Sequence, residues 1–294
     1  MTIAENQLVT WSNQGATTSS QATYASIDKA LASYSKWPND MDSLSYLQGS
    51  YRNSTNIRGD SDVDVVVELT SVSYSNLLPH EKAQLGLVQA KYTWTDFRQH
   101  VLAALVSYYG SSAVDATGKK AIRVLAAPGR LKADVVVAAT YNYYENFRIR
   151  SAGITFFEQG SGAQIVNYPK VHFENGAAKN NAHNTNGRYK PTIRMFKNAR
   201  IRVVDADASR KGMYPSYFIE GLLYNVPNEC YVASYQATYR NVVNWLQEEL
   251  ASSRADGFVC QSNMHYLFGS SSVQWDKSKA QDLVTRLIRL WEMG

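Results

Sequence analysis

Two short runs constrain the fold more than anything else in the chain. "DVDVVVEL" at 62–69 and "ADVVVAAT" at 133–140 each carry an unbroken Val-Val-Val. A strand with one wet face alternates apolar and polar residues; an unbroken run suits a strand covered on both faces, inside a sheet. Each run also opens with aspartate. Strand residues i and i+2 share a face about 6.7 Å apart, so Asp62 and Asp64 point the same way. If the two strands are neighbours, Asp134 stands at the same sheet edge. Crowded carboxylates repel unless a cation neutralises them, and an all-oxygen set suits Mg²⁺, with Mn²⁺ as its substitute. Three acids so placed match the needs of two-metal phosphoryl transfer. The plainer alternative is a set of solvated acids at strand ends. It is preferred for Asp134 alone and evenly matched for Asp62 and Asp64 alone.

Elsewhere the pattern changes along the chain. Tyr24, Ile27, Leu31 and Tyr34 recur at helical spacing, and Trp94, Phe97, Val101, Leu105 and Tyr108 predict a helix ending at Gly110. Strands are expected at 43–48, 121–126 and 131–140, the last two separated by "APGR", with a hairpin of 153–158 and 164–168 over "QGSGA". Helical periodicity dominates 188–204, 216–225, 235–251 and 277–292. The first 20 residues read as loose, and "HFENGAAKNNAHNTNGR" at 172–188 reads as a loop. The expectation is an α+β chain in two lobes with a groove between them. Residues 1–170 would carry an N-terminal helix and a mixed-sheet core, and 171–294 a helical lobe completing a ligand cleft.

Upstream of Asp62, Gly49-Ser50 supplies what a phosphate needs. Glycine permits close backbone approach, and a hydroxyl beside free N–H groups cradles the oxygens. A net charge of +5 favours polyanionic ligands without specifying one. Cys230 and Cys260 give no disulfide framework, and with five histidines they lack the spacing of a zinc cluster. No signal peptide or membrane-spanning run is read, so a cytoplasmic protein is expected.

The stretch "GSYRNSTNIRGDSDVDVVVEL" resembles the signature of the DNA-polymerase-β-like nucleotidyltransferases. With Thr55 and "NYPKVHFENGAAKN…TNGRYKPTIRMFKNAR", the chain from about 43 to 250 resembles the bacterial cGAS/DncV-like nucleotidyltransferases (CD-NTases), in their CdnE-like branch. That resemblance implies two Mg²⁺ ions on Asp62, Asp64 and Asp134, with Asp134 helping to activate an attacking ribose hydroxyl. It also implies that Gln48, Gly49 and Ser50 meet the donor triphosphate. Its acidic pattern is complete here.

Lys190, Arg194 and Lys197 fall at i, i+4 and i+7, one face of a helix with Pro191 in its first turn. Beside the acidic motif, a triphosphate role for Lys190 or Lys197 outweighs a solvated basic face. Ser216 and Tyr217 start a helix after Pro215. The resemblance gives the pair a double role, phosphate contact by the hydroxyl and base stacking by the ring; the alternative is a cap and a core aromatic. The resemblance implies that Asn167 lies in a base pocket that accepts pyrimidines, where an amide can read a uracil edge; the alternative is an asparagine that merely ends a strand. For Lys170, His172, His183 and Arg188 two readings stand side by side, closure over the cleft and a flexible polar loop.

The implied function is Mg²⁺-dependent synthesis of a cyclic di- or oligonucleotide from UTP and ATP, such as cyclic UMP–AMP or cyclic di-UMP. It would serve bacterial anti-phage (CBASS) signalling through a downstream effector protein. A monomer without direct DNA activation is expected. The rival readings are a template-free RNA- or tRNA-tailing enzyme and a non-catalytic nucleotide sensor.

Overall fold

Both valine runs become central strands, β2 (Asp62–Ser75) and β5 (Lys132–Glu145), paired in parallel in a seven-stranded mixed sheet. The computed structural model describes residues 2–59, 62–271 and 273–294 and divides into two compact units. Asp60 and Ser61 of "RGDSDVD" lie outside the described residues.

The sheet unit comprises Ala16–Arg52 and Ser61–Lys170. Its strands β1 (Ser43–Leu47), β3 (Val114–Asp115), β4 (Ile122–Val124), β6 (Arg148–Phe157) and β7 (Gln164–Asn167) join β2 and β5. β1 runs antiparallel to the outer side of β2. β4 pairs with the start of β5 and β6 with its later part, so one long strand has two antiparallel partners in succession. Helices α2 (Thr18–Ala32) and α5 (Trp94–Tyr109) pack on one face. Val63, Val65 and Val67 bury there with Ile27, Leu31, Phe97 and Val101. Val66 points the other way, into a second cluster with Tyr46, Trp94, Ile154 and Phe156. Apolar partners on both faces explain the unbroken run. The short α3 (Gly49–Asn53) follows β1, and α4 (Pro79–Gln84) follows β2.

The helical unit comprises Met1–Gly15, Asn53–Asp60 and Val171–Gly294. Its core joins α7 (Tyr189–Asp205), α8 (Ser216–Asn225), α9 (Tyr235–Leu250) and α10 (Lys277–Met293) through Phe196, Phe218, Leu222, Tyr239, Leu246 and Leu287.

Two expectations are overturned. The loose N-terminus is helix α1 (Glu5–Ser12), with Leu8 and Trp11 in the helical core. Glu5 explains the order: its carboxylate accepts from the backbone N–H of Tyr235 at 2.7 Å and of Gln236 at 2.8 Å, capping α9. The "loop" beginning at His172 is instead mostly helix α6 (Pro169–Asn180). Its polar residues face inward: Asn175 Nδ2 donates to Gln261 O at 2.9 Å and Lys179 Nζ to Val226 O at 2.7 Å. A segment that buries amides and ammonium groups rather than methyls gives no hydrophobic period. Burial pulls the Lys179 pKa down to about 8. His183 lies in the turns that follow, and Arg188 is the N-cap of α7.

Candidate active site

The parallel register places Asp64 opposite Asp134 and Asp62 opposite Lys132. Directly paired residues share a face, and neighbouring strands stand about 4.8 Å apart. Asp62, Asp64 and Asp134 therefore gather on one face at one sheet edge, as the two valine runs suggested. Basic groups interleave with them. Lys132 Nζ lies 2.7 Å from Asp62 Oδ2, and Arg123, opposite Asp134 on β4, brings Nε to 3.3 Å from Asp134 Oδ1.

Among the described residues no group of three or more His, Cys, Asp or Glu side chains is set to hold a metal ion. As placed, Lys132 and Arg123 occupy two of the three carboxylates. The donor set still fits Mg²⁺: it is all oxygen and clustered on one face, and its charge is already being compensated. Both ion pairs are partly exposed, with side chains 27–44 % accessible. Such pairs are worth about 0–1 kcal/mol, so an incoming ion meets little resistance.

Gly49 stands against this cluster. Gln48 N–H donates to Asp64 O at 2.8 Å, which continues the β1–β2 pairing to the start of the turn. Gly49 then takes φ +67°, and a Cβ there would lie 3.2 Å from Asp64 Cγ and closer still to Oδ2. The turn therefore requires glycine twice, for its backbone and for room beside the carboxylate. Ser50 follows in α3.

Further along the same β2 face, Glu68 is 2 % exposed. It accepts from Tyr46 Oη at 3.0 Å, Thr140 Oγ1 at 2.9 Å and Lys170 Nζ at 3.3 Å. These residues, with Gly153 and Pro169, line a cavity of about 200 Å³. Lys170 is thus anchored rather than part of a flexible loop. Asn167 ends β7 opposite Ile154, half-buried. Gly153 makes room there, since a Cβ would sit 2.6 Å from Asn167 O.

In the helical unit the basic face of α7 turns inward. Arg194 donates through Nε to Ser12 O at 2.6 Å and through Nη1 to Ser54 O. Lys197 is 1 % exposed and donates to Thr55 O at 2.9 Å. Lys190 is half-buried with its ammonium 5.2 Å from the Phe173 ring centre, and burial lowers its pKa. Arg194 and Lys197 therefore hold the 53–56 segment, a duty that helical spacing alone did not distinguish from anion binding. Lys197→Met should destabilise the chain by about 3 kcal/mol, because Thr55 O would be left buried without its donor and Glu220 would lose a nearby positive charge. Urea unfolding checks this; an unchanged midpoint would contradict it.

Glu220 escaped the sequence reading, as did its pairing with Thr55 and His172. Glu220 is 4 % exposed, accepts from Thr55 Oγ1 at 2.7 Å and faces His172 Nε2 at 3.0 Å. The available signal was one acid inside "YFIEGLLY", a helix otherwise apolar at that point. Ser216 is the first residue of α8, and Tyr217 follows with its ring stacked on His172 and 44 % of the residue exposed.

Comparison with known proteins agrees with this arrangement. Residues 174–292 match the family model described as the cGAS/DncV-like nucleotidyltransferase C-terminal helical domain. The chain is 45 % identical to the cyclic UMP-AMP synthase of Rhodothermus marinus, over 99 % of this chain and 98 % of that one. It is 37 % identical to the cyclic nucleotide synthase CdnE01 of Staphylococcus haemolyticus, over 99 % of each. The solved structure of the R. marinus CdnE c-UMP-AMP synthase with Apcpp and Upnpp superposes with a TM-score of 0.91, covering 99 % of this chain and 97 % of that one. With a paired acidic edge, a glycine turn against it and relatives matched from end to end, the chain belongs to the cGAS/DncV-like nucleotidyltransferases.

Proposed function

We propose that this enzyme condenses UTP and ATP into cyclic UMP–AMP, a small signal read by a downstream effector protein in defence against phage. The observation that carries the reading is 45 % identity to a cyclic UMP-AMP synthase across 99 % of the chain. The register of Asp64 beside Asp134 supplies the chemistry such a synthase needs.

In each of two steps a ribose hydroxyl attacks an α-phosphate and pyrophosphate leaves. Asp62, Asp64 and Asp134 would hold two Mg²⁺ ions, which when bound supply positive charge at the attacking and leaving oxygens. Asp134, on the same face, would orient the attacking hydroxyl and draw off its proton. Gln48 and Gly49 lie against Asp64 and Ser50 follows them in α3; their backbone N–H groups and the hydroxyl would take the triphosphate of the donor. Of the α7 cations Lys190 is the one left for a phosphate role, since Arg194 and Lys197 donate to backbone carbonyls. Tyr217, with 44 % of the residue exposed, would stack on a base, and Ser216 would offer its hydroxyl to a phosphate. After the first transfer the linear dinucleotide turns round, and the same acids serve ring closure.

Incubation with Mg²⁺ and the four labelled triphosphates, followed by phosphatase, tests the reading. A phosphatase-resistant product containing one UMP and one AMP is expected. Ladders on added RNA would establish a tailing enzyme instead, and silence under all conditions would favour a sensor.

Asn167 is proposed to read the pyrimidine edge, because an amide both donates and accepts. Asn167→Ser should lower the preference for UTP over purine triphosphates by about tenfold while keeping overall turnover. Competition between labelled UTP and GTP measures it, and an unchanged product ratio would retire the role.

A further inference from the structure

The ring of Tyr217 lies on that of His172, with centroids 5.0 Å apart and planes at 22°. His172 is itself enclosed, at 4 % exposure. Its main chain is held by Gln261, whose Nε2 donates to His172 O at 2.8 Å. Its ring is held through Nε2, 3.0 Å from Glu220 Oε2, while Nδ1 has no hydrogen-bond partner among the described residues. One hydrogen bond therefore fixes the imidazole about its own axis.

Glu220 is built to keep that bond. Oε1 accepts from Thr55 Oγ1 at 2.7 Å, and Lys197 holds Thr55 O at 2.9 Å. Tyr189 Oη ties the Glu220 backbone carbonyl at 3.3 Å and Gln261 Oε1 at 2.6 Å. Burial pushes the Glu220 carboxyl up, yet His172, Lys197 and Thr55 together outweigh burial and hold it below the usual range. A buried carboxylate so surrounded cannot reorient without breaking several bonds.

We propose that Glu220 and His172 form a positioning pair that sets the plane of the Tyr217 ring as a platform for a nucleobase. One face of the tyrosine is taken by the imidazole, and its exposed remainder is what a base can cover. A base gains from stacking only if the ring is held parallel to it, so the anchored imidazole pre-orients the platform before substrate arrives. This inference rests on the reading of Tyr217 as a base-stacking residue.

Steady-state kinetics of Tyr217→Ala, His172→Ala, His172→Phe and the Tyr217→Ala/His172→Ala double variant test it, with thermal melting to confirm folding. His172→Phe keeps an aromatic ring beside Tyr217 and loses the hydrogen bond to Glu220, so it tests the tether in a variant that leaves no cavity. Tyr217→Ala is expected to raise KM for the nucleoside triphosphates about tenfold. Each His172 variant should raise it about fivefold with kcat within about twofold, and the double variant should be no worse than Tyr217→Ala alone. Additive effects, or His172 variants with unchanged KM, would overturn the pairing while leaving the platform intact. An unchanged KM in Tyr217→Ala would overturn the platform itself.

Discussion

Replacing Asp62 and Asp64 together by asparagine abolishes turnover, by at least about 10³-fold, and leaves the fold in place. Asparagine keeps the size of each side chain and removes its charge, so hard-cation binding is lost while the volume at the sheet edge is not. Charge stabilisation at both reacting oxygens is worth several kcal/mol, and each 1.36 kcal/mol is tenfold in rate. On the stability side little changes. The strand is held by Val63, Val65 and Val67 in the core beneath, and the Asp62–Lys132 pair lost is partly exposed and worth about 0–1 kcal/mol. Product formation from labelled triphosphates measures the first part and circular-dichroism melting the second. Wild-type turnover in the double variant would remove these acids from the mechanism.

Gly49→Ala carries the second large effect. The new methyl must take space that Asp64 Oδ2 fills, at a φ of +67° where a side chain is already disfavoured by about 1–2 kcal/mol. Either the carboxylate swings away or the turn shifts, and both displace the acid relative to the proposed triphosphate cradle. A misplacement of about 1 Å is enough for about a hundredfold loss in rate. Gly129 supplies the control: its φ is +78°, and a Cβ there meets nothing within 4 Å. Gly129→Ala should share the backbone penalty and keep activity. Equal losses in the two variants would mean that the effect of Gly49→Ala is backbone strain and not the contact with Asp64.

What was legible in the sequence follows the kind of signal each part emits. The two valine runs announced central strands, and their leading aspartates announced a shared edge, because strand period and parallel pairing leave few other arrangements. The helices 94–109 and 277–293 declared themselves by apolar stripes. Helix α1 and helix α6 did not. α1 buries few apolar side chains and is fixed by Glu5 capping a helix some 230 residues away; α6 buries His172 and ties the half-buried Asn175 and Lys179 by hydrogen bonds, with no period in hydropathy. The last turns of β2 and β5 were also missed, since "TSVSYS" and "YNYYE" alternate polar and aromatic residues where the earlier halves were solid valine. At the candidate site, the shared face of the acids and the glycine turn beside them followed from local spacing. The Glu220 hub was not, because its partners Thr55 and His172 lie 165 and 48 residues distant. The α7 cations showed the converse limit: spacing put Lys190, Arg194 and Lys197 on one face, and only packing revealed that this face looks inward.

Anomalous diffraction from crystals grown with Mn²⁺ and a non-hydrolysable triphosphate tests the central claim most directly. Two peaks about 3.5–4 Å apart are expected, ringed by Asp62, Asp64 and Asp134, with Lys132 and Arg123 released from their carboxylates. Nucleotide bound with no peak at this edge, and with both cations still seated on Asp62 and Asp134, would contradict it.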